Sequence, residues 1–213
     1  HPFLVDPHIP SSMRMRVLEK VLLPVALYGC EIWGHSKQTV GMVTTKVIKG
    51  LRLVVVGRKG DSLPNSVLFA ELGIRDVWSL VVGRRLQVGW KQWGYPLEER
   101  IRAIKDGENT GTYLKLVAKW GYGLMKKYGC LEGMELNKRR LSDAFWDFMD
   151  KETISKAVEG EWNAYLESGP EVSGYTAYKK VKGPMRQVYQ DVWDDKPELW
   201  RGCQTLLKIR VNG

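Results

Sequence analysis

Cysteine and histidine are scarce in this sequence, and long apolar runs are missing. The three cysteines, Cys30, Cys130 and Cys203, are odd in number and far apart, which excludes a disulfide scaffold and fits a reducing, intracellular compartment, nuclear or cytoplasmic. A zinc site wants closely spaced Cys/His pairs, and the nearest approach is Cys30 with His35, so these thiols read as structural and no metal is expected. All three histidines lie at or before His35. With no G-x-S-x-G elbow, P-loop or dinucleotide glycine pattern either, no active centre can be assembled and no cofactor is expected. The longest apolar candidate, Val21 to Trp33, is interrupted by Pro24 and Glu31 and falls short of the ~20 residues a membrane span needs. The opening His1-Pro2-Phe3 has neither an initiator Met nor the pattern of a signal peptide, and the chain reads as a piece of something longer.

What is present is a folded, basic protein. The chain has 213 residues, of which 44% are hydrophobic and 27% charged, enough to bury a core and too apolar for disorder. Ser11 and Ser12 stand as N-caps before Met13, Val17, Leu18, Val21 and Leu22, whose spacing predicts one buried helical face. Pro24 then makes Val25 to Trp33 either a kinked continuation or a new helix. Leu51 to Val56 has strand propensity, but the spacing of Val43, Val47, Ile48 and Leu51 favours a helix ending before Gly57. Further helices are expected from Pro64 to Leu72 with Gly73 closing, and over 77–93, 96–105, 112–128, 137–149, 153–166, 184–193 and 197–210. The fold class is all-α, a multi-helix bundle. Glycine-bearing linkers at 106–111 and 168–174 suggest two helical subdomains, 1–105 and 106–213.

Charge is divided unevenly between them. Residues 1–105 carry 16 Lys+Arg against 8 Asp+Glu, and 106–213 carry 17 against 16. A concentrated cationic surface is what a phosphate backbone selects, through release of condensed counterions. Lys46, Lys49 and Arg52 recur at i, i+3 and i+6, Arg58 and Lys59 follow in a polar turn, and Arg84, Arg85 and Lys91 lie on the 77–93 helix. These are the candidate phosphate contacts; the bland alternative is a solvated helical face. Of the nine Trp, most sit among Leu and Val as core residues, and only Trp90 and Trp93, flanking Lys91, suit base stacking. The adjacent carboxylates Asp194 and Asp195 precede Lys196-Pro197 and read as a helix cap rather than a two-metal site.

The run Pro24-Val25-Ala26-Leu27-Tyr28-Gly29-Cys30-Glu31-Ile32-Trp33-Gly34 resembles the P-x-L-x-Y-G-x-E-x-W-G segment that follows the catalytic palm in reverse transcriptases of non-LTR (LINE-like) retrotransposons. Glu71-Leu72-Gly73 is similar to the E-L-G signature of that family, Arg84-Arg85-Leu86 with Trp90 to its arginine-and-tryptophan helix, and Leu206 to Arg210 to the stretch before its zinc knuckle. Ile74 to Val77 departs from the aromatic and proline the family often has there. The resemblance implies a non-catalytic thumb and post-thumb helical linker. The palm would lie upstream and a zinc knuckle downstream, and the partners would be RNA or RNA–DNA hybrid and the remainder of the polymerase. A structural or protein–protein interaction module, taken over by a host, is the rival, and a complete small enzyme the third reading.

Overall fold

The computed structural model describes residues 2–6, 8–55, 64–93, 110–132 and 141–168, together with Lys196, Leu199, Gly202 and Thr205. Among the described residues the architecture is all-α, without a strand. The helices expected over 96–105, 184–193 and, apart from three isolated residues, 197–210 lie outside them, as do Arg58, Lys59, Cys203 and the Asp194-Asp195 pair. No described helix is long and apolar enough to cross a membrane.

The described chain divides into two units that interleave in sequence. One takes the residues up to Tyr28, Lys37–Val77 and those from Ala164 onward; the other takes Gly29–Ser36 and Trp78–Asn163. The boundary expected at 105/106 lies outside the described residues.

The first unit is arranged around α5 (Lys37–Val55), on which α1 (Pro2–Val5), α2 (Ser11–Val17), α3 (Leu23–Ala26) and α6 (Asn65–Leu72) all pack. Pro10 occupies the cap position of α2, and Ser11 and Ser12, expected as its caps, are the first two residues of the helix itself. Between α2 and α3 runs a π turn, Leu18–Leu22, in which the Leu23 N–H bonds to the Leu18 carbonyl five residues back. Pro24 has no N–H and its ring crowds the carbonyl four residues before it. The wider turn accommodates this, so the helix passes through the proline. It also corrects the expected burial. The buried residues are Arg14, Leu18, Leu23 and Leu27, stepping by four, five and four. The extra residue turns Val21 and Leu22 outward, 52% and 42% exposed, and Met13 is exposed as well.

Within this unit α5 turns Val40, Val47, Leu51 and Val54 inward. Its helical course settles the strand alternative for the described part of Leu51 to Val56. Buried Arg14 donates through Nη1 to the carbonyls of Leu4 (3.2 Å) and Val54 (3.3 Å), placing a guanidinium at the C-terminal ends of α1 and α5, where carbonyl dipoles favour a cation. In α6 the consecutive residues Ser66 to Phe69 are all buried. Its end is a Schellman turn: Gly73 adopts φ 67°, donates to Ala70, and the following Ile74 N–H reaches Phe69 O at 3.0 Å.

The second unit contains α4 (Cys30–Trp33), α7 (Val77–Trp93, from Trp78 on), α8 (Thr110–Lys127), α9 (Leu141–Phe148) and most of α10 (Lys151–Ser168). Thr110 and Gly111, expected in a linker, open α8. Its core joins Val82, Leu86, Val117, Met125, Phe145, Trp146 and Val158, with Trp78, Trp90, Trp93 and Trp120 packed against it. Large rings face small residues. A Cβ on Gly89 would overlap Trp146, one on Gly121 would overlap Phe145, and one on Gly160 would overlap Tyr128. Close packing of this kind is tolerated only where the backbone carries no side chain.

Candidate functional site

The sequence-predicted cations fall into both units, and they differ in what holds them. In the first unit, α5 carries Lys37, Lys46, Lys49 and Arg52 and no acidic residue along its 19 residues. Helical spacing sends Gln38, Gly41, Met42, Thr45, Lys46 and Lys49 to solvent, and all are exposed. This face is level as well as basic: a Cβ on Gly41 would meet no atom within 4 Å, and the Thr45 hydroxyl is folded back to donate to the Gly41 carbonyl at 2.9 Å. Arg52, half-buried, is drawn off that face, its Nη2 donating to Asn65 Oδ1 at 3.0 Å.

In the second unit, Lys91 is exposed, Arg84 is half-buried, and Trp90 is half-buried against the core. Arg85 departs most from the expectation of a surface phosphate contact. It is 5% exposed, with its guanidinium 4.6 Å from the centre of the Trp120 ring. Trp120 in turn meets Trp78 edge to face at 6.2 Å. Burial pushes the Arg85 guanidinium below its ordinary value. The nearby Tyr113 phenol is raised to about 12, by burial above all. A guanidinium spent on an internal aromatic face has no surface from which to grip a phosphate. The sequence held a signal for this: Arg85 stands four residues after Val81 and four before Gly89, on the same stripe as the buried positions of α7.

A second polar cluster crosses the same unit. The Glu161 carboxylate, 8% exposed, accepts hydrogen bonds from Trp78 Nε1, from the Tyr128 hydroxyl and, at 3.2 Å, from Lys127 Nζ. Burial alone would raise this carboxyl, but the three donors outweigh it and hold the group below the usual glutamate value. The cluster ties α7, α8 and α10 together. Cys30 is fully buried and burial pushes its thiol up, so it packs as an apolar residue. Among the described residues no group of three His, Cys, Asp or Glu stands close enough to hold a metal.

Sequence reasoning missed an apolar groove in the first unit. It lies between the π turn with α3 on one side and α5 on the other, has a volume of about 200 Å³, and is lined by Leu18, Leu22, Leu23, Ala26, Lys46, Val47 and Gly50. Leu22 was expected inside the core. Only the π turn, which no residue pattern announces, rotates it to the groove wall. No family model, curated protein or solved structure matches the chain.

Proposed function

We propose that this chain contacts RNA or an RNA–DNA hybrid through the exposed face of α5, as the non-catalytic thumb and helical linker of a non-LTR-type reverse transcriptase would. The observation that carries the reading is the acid-free face on which Lys46 and Lys49 are both exposed, one helical turn apart, beside Gly41 and Thr45. Two ammonium groups at that separation match successive phosphates of a backbone, and the small residues Gly41 and Thr45 in the turn before them let a duplex approach closely. Lys91 and Arg84 are further candidate contacts; Arg85 is not among them, because its guanidinium is internal. An intracellular site of action, nuclear or cytoplasmic, and a parent polymerase as covalent context belong to the same reading.

The test is binding of the full chain to a fluorescein-labelled RNA–DNA hybrid between 50 and 200 mM salt, wild type against the Lys46→Ala/Lys49→Ala double variant. Loss of two phosphate contacts lowers the slope of log K against log salt by about two. An unchanged slope removes α5 from the interface, and salt-independent binding of the wild type removes the reading altogether. A protein–protein interaction module remains the second reading, favoured by exposed Val21, Val25 and Met42.

A further inference from the structure

The groove between the π turn and α5 is concave, open and almost wholly apolar, and Lys46 is its one charged lining residue. Exposed apolar residues also stand close in sequence to its lining: Val21 is 52%, Val25 71% and Met42 62% exposed. Gly50 keeps its floor low, since a Cβ there would already stand 3.6 Å from Leu18 Cδ1. At about 200 Å³ it is smaller than the ~300 Å³ at which pockets begin to bury a cofactor or drug-sized molecule. It does suit a short row of aliphatic side chains, the ridge one helix offers to the space between two others.

We infer that this groove docks an amphipathic helix of a partner protein, one that presents leucine-like residues at i, i+4 and i+7 and acidic residues beside them. The choice of occupant rests on charge. No acidic residue lines the groove, Lys46 stands in its wall, and Lys49 lies one turn further along the same helix. A carboxylate flanking the apolar ridge would meet these ammonium groups at the rim of the contact, where complementary charge fixes register and speeds encounter. A second copy of this chain fits less well, because two-fold pairing of the patch would set Lys46 and Lys49 of both copies against one another. An aliphatic trough offers bases neither an aromatic ring to stack on nor donors to read them by, so the inference goes beyond the nucleic-acid reading, with which it shares Lys46 but not the trough itself.

The experiment titrates the full chain into fluorescein-labelled 18-residue alanine-based helices with leucines at i, i+4 and i+7, flanked either by glutamates or by lysines. The wild type should bind the glutamate-flanked helix at least tenfold tighter. Leu22→Asn, polar but uncharged, should weaken that binding tenfold or more while leaving RNA–DNA hybrid binding intact, because Leu22 is absent from the α5 face and the change adds no charge beside Lys46. Lys46→Glu, at an exposed position where folding is not at stake, should reverse the preference between the two peptides. Equal binding of both peptides by the wild type, or an unaltered preference in Lys46→Glu, overturns the inference. So does Leu22-dependent capture of phosphatidylserine vesicles, or Leu22-dependent self-association, without peptide binding. Loss of hybrid binding in Lys46→Ala/Lys49→Ala, together with no measurable selectivity of the wild type between the two peptides, would leave the nucleic-acid reading standing and this one refuted.

Discussion

The two units use the same residue types to opposite ends. In the first, aliphatic side chains with the single buried ring of Phe69 among them fill the interior of the described residues, a buried arginine ties helix ends together, and the lysines of α5 are left to solvent. In the second, aromatic rings fill much of the interior against glycines, and Arg85, one of the expected phosphate contacts, is laid over an indole. An abundance of tryptophan and a surplus of arginine therefore say little on their own. What matters is whether the helical stripe that carries them turns inward, and in α7 it does. Functional surface is expected where cations stand on a stripe that turns outward, as in α5.

The comparison is broken most sharply by truncating one large side chain in each core. Trp146→Ala should cost about 4 kcal/mol of unfolding free energy, because the ring is 1% exposed and its removal leaves a large cavity. Leu51→Ala in the first unit, fully buried, should cost about 3 kcal/mol. Urea melts of both variants decide it: a smaller loss at Trp146 than at Leu51 would mean that the aromatic unit relaxes around its voids and is not the tightly packed one. Next in size, Arg14→Ala should cost about 3 kcal/mol, since it strands two buried carbonyls that now accept from a guanidinium. A loss under about 1 kcal/mol would make that arginine a passenger rather than a tie.

The smallest effect concerns Glu161 and carries a pH signature. Its folded value lies below the ordinary 4.5. The stability it contributes is therefore complete above about that pH and disappears as pH falls through the lower folded value. Glu161→Gln should lower stability by about 2 kcal/mol at neutral pH. The difference in Tm from the wild type should stay level between pH 6 and 8 and close as the solution is acidified below pH 4.5. A gap that persisted under acid would show that shape, and not charge, holds the three donors.

Much of this fold was legible in the sequence, and the failures have physical causes. The limits of α6 and α7 followed from Pro64, Gly73 and the apolar period, signals local enough to survive any tertiary context. The α5 helix was recoverable because the spacing of Val47 and Leu51 outweighed β-branched propensity. Arg85 was misread because charge was given priority over period: a guanidinium can be buried when a tryptophan face receives it. The groove was invisible for a deeper reason. It depends on a turn one residue too wide, and a pattern counted in steps of 3.6 assigns Val21 and Leu22 to the inside. Of the candidate interface, Lys46 and Lys49 were proposed from spacing alone, whereas the level ground at Gly41 and Thr45 beside them became evident only with the backbone in place.

The π turn Leu18–Leu22 has one more consequence. Its supernumerary residue lets Leu18 and Leu23 keep their places in the interior while everything between them is re-aimed, so what this stretch shows to the exterior is uncoupled from what it buries. Substitution at Val21 or Leu22 can thus change which partners the surface selects without any change to the buried sequence.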